Sequence, residues 1–160
     1  VAQRLLSIYL NDHLAEATVE VELARRTRRA NEGSELGARL ARLCGEVESD
    51  RDTLLGVMKE LDVRRDRAKV AAGWLAEKAG RLKLNGRLTG YSPLSRVLEL
   101  GGLQLIASSR LGLWQVLDQV LGEQLARFDL PALIERADAQ RTDLEGWRLD
   151  AGVAALNIAP

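Results

Sequence analysis

The one histidine of the chain, His13, stands three and seven residues before Glu16 and Glu20, and a second pair of carboxylates, Glu46 and Asp50, is spaced by four. Those intervals put each group on one face of a helix, where residues three, four and seven apart are neighbours. An imidazole with two or three carboxylates at one level makes an oxygen-rich ligand set of the kind that holds iron, manganese or zinc. The same residues also suit a plainer role. A buried carboxylate must be paired or neutralised, so His13 and Asp50 can pair with each other, or Asp50 with an arginine from a neighbouring helix. Arg110 and Arg141 are the arginines expected near that level. An arginine there would occupy the place of a metal. The buried polar cluster of His13, Asp50, Arg110 and Arg141, with no cofactor, is therefore the preferred reading, and the metal site of His13, Glu16, Glu20, Glu46 and Asp50 is the alternative.

Other catalytic templates are missing from the sequence. It has no Gly-rich phosphate loop, no His-Glu-x-x-His, no Cys-x-x-Cys, and no Ser or Cys nucleophile signature near His13. No catalytic residue is expected. Cys44 is spaced helically with Leu40, Leu43 and Val47, which points to burial as a small hydrophobe. Trp74, Trp114 and Trp147 each have Leu or Ala neighbours at helical spacing, which points to core packing over a haem or flavin contact.

The elements that must position these residues are helices. The 160 residues are 46% hydrophobic and 29% charged, with three Pro and few aromatics, a balance that fits one globular domain with its own core. The commonest types, Ala, Leu, Arg and Glu, are strong helix formers, so an all-α fold is expected. Leu6, Leu10, Leu14, Ala17, Val21 and Ala24 form one apolar stripe and predict a helix over 2–30. Asn31 to Ser34 make a turn. Leu36, Leu40, Leu43, Val47, Leu54, Met58 and Leu61 then predict a second helix ending near 62, antiparallel to the first. If the turn centres near residue 32, His13 faces Asp50.

A shorter, weaker stripe follows over 66–84, and Gly86 and Gly90 break it. Ser92-Pro93 restarts the chain with a capping hydroxyl and Pro at the first helical position. The helix that follows, to about 122, is apolar nearly all round. Leu94, Leu98, Leu105, Gly112 and Val116 lie on one side and Leu103, Trp114, Leu117 and Leu121 on the other, so cover is expected on both. Asp129-Leu130-Pro131 opens a last helix with Leu133, Ala137, Leu144, Trp147, Ala151 and Ala155 inward. Four long helices and one short one predict a four-helix bundle in which the short helix is a crossover, making the second and third long helices parallel. A five-helix up-and-down bundle competes with it.

Net charge is zero but unevenly spread. Residues 64–96 carry nine basic and two acidic groups, whereas 1–63 carry nine and twelve. Arg64, Arg65, Arg67, Lys69, Lys78, Arg81, Lys83 and Arg87, with Arg96, could form a basic surface for nucleic acid, anionic lipid or an acidic partner. The preferred reading is that they neutralise acidic helices beside them. Few aromatics accompany them, which argues against single-strand nucleic acid.

With this helix order, the chain resembles the ferritin-like superfamily, in particular its small uncharacterised or stress-associated bacterial members. The stretches that carry the resemblance are Tyr9-Leu10-Asn11-Asp12-His13-Leu14, Gly45 to Arg51, Asn85-Gly86-Arg87-Leu88 and Ser92 to Arg96. The resemblance implies a crossover bundle and, in active members, two metals held by a Glu on each of two helices and a Glu-x-x-His on each of the others. Here Ser49 follows Glu46 and Asp138 follows Glu135 at the positions where those histidines would stand, and His13 occupies the first helix. The expectation is a non-catalytic ferritin-like bundle that is at least a dimer, or that binds a protein partner; the alternative is a metal-binding protein with a reduced site. No stretch is long enough to span a membrane, the opening segment lacks the order of a signal peptide, and a cytoplasmic location is expected.

Overall fold

A computed structural model of the chain describes residues 1–69, 71 and 91–156. Helix α1 runs Ala2–Ala30, α2 Glu35–Glu60, α3 Pro93–Leu121 and α4 Leu130–Leu156, with a 3-10 turn, Ala126–Phe128, before the last. No strand occurs among the described residues. The expected crossover helix over 66–84 lies mostly outside them. Residues 67–69 and 71 are helical, and the choice between a crossover and a fifth bundle member falls outside the described residues.

Local chemistry sets each boundary. Between α1 and α2 the chain turns through Gly33 at φ +79°, in the left-handed region that glycine enters freely. The Ser34 hydroxyl accepts from the Gly37 N–H at 3.0 Å and caps α2. A Cβ on Gly37 would meet the Asn31 carbonyl oxygen at 2.2 Å, so the tight reversal needs glycine there. Ser92 and Ser95 cap α3 reciprocally, with Pro93 in the first turn. Asp129, at φ 46°, precedes α4, and its Oδ1 accepts from the Ala132 N–H.

Side-chain contacts fix the directions. Glu20 of α1 meets Arg110 of α3 and Arg26 meets Glu99, so numbers rise on one helix as they fall on the other. Gln140 meets Glu46 and Arg136 meets Asp50 in the same sense between α4 and α2. The α1–α2 and α3–α4 pairs also pack together. Each helix therefore has two antiparallel neighbours, α2 and α3 run parallel, and the end of α2 and the start of α3 lie at opposite ends of the molecule.

The apolar stripes of α1, α2 and α4 face inward as their spacing requires. The buried residues fall into two clusters. One gathers Leu10, Leu14, Leu54, Met58, Leu113 and Trp114 with the α3–α4 turn, and the other gathers Val21, Leu40, Leu43, Val47, Leu100, Leu103 and Leu144. Cys44 is buried in the second, and burial pushes its thiol pKa up. Trp114 is fully buried, and Trp147 packs beside the second cluster; Trp74 lies outside the described residues.

On α3 the expectation of cover on both sides does not hold within the described residues. Leu103, Leu113, Trp114 and Leu117 are buried, but Leu94, Leu98, Leu105, Val116 and Val120 are exposed. On α4, Leu149, Val153 and Leu156 are exposed as well. Arg148 Nε donates to Gln104 Oε1 at 2.9 Å across the two helices, which sets Leu98 and Leu105 at the level of Leu149 and Val153.

Candidate functional site

Between the two apolar clusters all four helices contribute polar side chains to one layer. Glu20 enters from α1, Asp50 from α2, Arg110 from α3 and Gln140 from α4, each at least nine-tenths buried. The position of each follows from the apolar stripes. Glu20 precedes Val21, Asp50 falls between Val47 and Leu54, Arg110 between Ala107 and Leu113, and Gln140 between Ala137 and Leu144. Helical spacing turns all four inward.

Arg110 is the hub. Its Nη1 donates to Glu20 Oε2, its Nη2 to Gln140 Oε1, and its Nε stands 3.3 Å from Asp50 Oδ2. Arg136, half-exposed on α4, reaches in so that its Nη2 donates to Asp50 Oδ1. Gln140 Nε2 in turn donates to Glu46 Oε2 at 2.6 Å. Buried charges are tolerable when paired and hydrogen-bonded in this way. Burial nonetheless dominates at Glu20. It pushes the carboxyl up from 4.5 to about 7, against the opposing pull of Arg110 and with smaller upward pushes from Asp50 and Glu16.

His13 and Glu16 sit at the edge of this layer. The His13 ring stands edge-on to Tyr9 with centroids 4.5 Å apart, and its Nδ1 is 3.3 Å from Glu16 Oε2. Burial lowers the His13 pKa, and Glu16 and Asp12 only partly offset it. Glu16 also accepts from the Ser109 hydroxyl of α3. His13 and Asp50 line the same small cavity, but no bond joins them: the imidazole turns along its own helix to Tyr9 and Glu16, and Asp50 turns to two arginines.

Arg141 stands apart from the layer. Its guanidinium bonds Asp138 at 2.8 Å and approaches Glu145 on its own helix. One residue beyond Gln140, it is rotated by about 100° toward the surface. Arg136 and Gln140 take the place expected of it. Gln140 was visible in the sequence as the polar residue on the inward α4 stripe, and Arg136 as its neighbour one turn earlier.

As a ligand set the five residues of the metal alternative are divided. Glu20 and Asp50 are held by guanidinium groups, Glu46 by Gln140, and Glu16 and His13 by each other. Among the described residues no group of three or more His, Cys, Asp or Glu side chains could hold a metal ion. Because Arg110 stands between Glu20 and Asp50, the positive charge at the centre is supplied by the chain itself.

Of the expected basic surface, Arg64, Arg65, Arg67 and Lys69 are described, and Lys78, Arg81, Lys83 and Arg87 lie outside the described residues. Lys69 pairs with Asp12 of α1 at 2.7 Å. Asn11, buried on α1, donates to the Arg64 carbonyl and accepts from the Asp66 N–H, tying this segment to the helix. No helix among the described residues is long and apolar enough to cross a membrane. Comparison of the chain with protein-family models, curated proteins and solved structures gives no match.

Proposed function

We propose that the protein is a non-catalytic bundle of ferritin-like type that acts by association, first with a second copy of itself, through the outer face of α3 and α4. The observation that carries this reading is the exposure of large apolar side chains at one level of two adjacent helices: Leu105 is 74% exposed and Val153 71%, with Leu98 and Leu149 beside them. Isolated exposed leucines are ordinary on a protein surface, but a contiguous apolar patch marks an interaction face. The non-catalytic part is supported by the polar layer, where Glu20 and Asp50 each pair with an arginine that stands where a metal would be held. The parallel run of α2 and α3 is compatible with the ferritin-like part, since a single crossover connection produces it, as a fifth up-and-down helix also would.

Light scattering at micromolar concentration tests it. The expected mass is at least twice the 17.6 kDa of one chain, and replacing Leu105 and Val153 together by lysine is expected to return the protein to one chain. A wild type that stays at 17.6 kDa overturns self-association.

A further inference from the structure

We propose that the centre of the polar layer is a built site for one buried water molecule, held by Trp114, Arg110, Glu20 and Asp50. A cavity of about 10 Å³ lies there, with these four among its lining residues. That space is of the order one water needs, roughly 10 to 15 Å³. Each of the four keeps one buried polar atom without a hydrogen-bond partner: Glu20 Oε1, Asp50 Oδ2, Arg110 Nε and Trp114 Nε1. Arg110 Nε and Asp50 Oδ2 are 3.3 Å apart but not aligned for a hydrogen bond, so both stay open to a third group. Polar atoms buried this deeply are nearly always satisfied, by protein or by ordered water.

The unsatisfied set also selects the ligand. It consists of two acceptors, the carboxylate oxygens, and two N–H donors. A metal cation or an ammonium ion would find the carboxylates but be opposed by the indole and guanidinium N–H groups. An anion would find the N–H groups and be opposed by the carboxylates. A molecule that donates twice and accepts twice, and is no larger than the cavity, matches all four. Water is that molecule. In this site, with Glu20 ionised, it donates to Glu20 and Asp50, accepts from Trp114 and Arg110, and bridges α1, α2 and α3.

Two measurements test the site. In a crystal structure that resolves ordered solvent, a single peak is expected in the cavity within about 3.2 Å of Trp114 Nε1 and of a Glu20 or Asp50 oxygen. A cavity without density overturns the proposal, and so does a peak with contacts of about 2.0 to 2.2 Å, which identifies a metal. In solution, the Trp114 indole N–H, assigned by its loss in Trp114→Phe, is expected to show a cross-peak to long-lived water. The experiment is run above the titration of Glu20, so that a carboxyl proton is not the source. An indole proton that exchanges slowly and shows no such cross-peak overturns the proposal independently of the crystal.

Discussion

The centre of the four helices and the outer face of α3 and α4 reverse the usual placement of side chains. At the centre, Glu20, Asp50, Arg110 and Gln140 are buried among leucines, while outside Leu105, Val120 and Val153 are largely exposed. The difference lies in what each group has for a partner. Every charge at the centre meets an opposite charge or an amide, so burial is compatible with folding. The apolar side chains outside are left partly or largely uncovered. The charges of the interior are paired, although a few buried polar atoms, around the cavity and elsewhere, have no partner, and the exposed apolar face is where the proposed association would gain energy.

The largest way to break this contrast is to remove the charge that two arginines share. Asp50→Ala leaves Arg136 without its carboxylate and Arg110 with Glu20 alone, and is expected to destabilise the fold by roughly 3 to 5 kcal/mol, as for other broken buried pairs. Thermal or urea unfolding reads this directly. A variant that unfolds like the wild type would mean that the centre is wetter and less tightly paired than its burial indicates.

A second effect, of opposite sign to that of most carboxylates, comes from Glu20. Its folded pKa is about 7 against an ordinary 4.5, so the folded protein holds the proton more tightly than the unfolded chain. The resulting stabilisation is complete below 4.5 and is lost as pH rises through about 7. At about 1.4 kcal/mol for each pH unit between the two values, it amounts to roughly 3 kcal/mol. Glu20→Gln removes the titration, so the stability of the wild type relative to this variant should fall across that interval and level off above it. A constant difference from pH 4.5 to 7 would show that Arg110 holds Glu20 ionised throughout.

The smallest effect is expected on the outer face. In protein dilute enough to be a single chain, Leu105→Ala should change unfolding stability by no more than about 0.5 kcal/mol, the usual range for surface positions, while weakening association. A large loss in the single chain would mean that Leu105 is covered from within the molecule.

The helices were legible because their apolar residues repeat at three and four over long stretches, and because Ser34, Ser92-Pro93 and Asp129 mark their starts in the sequence itself. Asp50 and Arg110 were legible as polar breaks in those stripes. The partners were harder to find. Level alone pointed to Arg141, but level fixes height on a helix and not azimuth, and one residue of rotation separates Gln140, facing in, from Arg141, facing its own Asp138. His13 went astray for a related reason. Its height matched Asp50, but Tyr9 and Glu16 one turn away on the same helix offered nearer contacts. The exposure of the outer α3 side was not legible either, since an apolar side chain carries no sign of whether its cover comes from its own chain.

The polar layer divides the apolar interior into two compartments, and every helix crosses it. Sliding any one helix by a single turn, about 5.4 Å, would bring an apolar side chain such as Ala24, Leu54, Leu113 or Leu144 into the layer and push a charge or an amide into the next apolar compartment. Leucine-lined helices on their own tolerate such slippage, because one apolar turn resembles the next. With Arg110 bonded at once to Glu20 and Gln140, the layer acts as a detent, because only one alignment of the four helices pairs its polar groups.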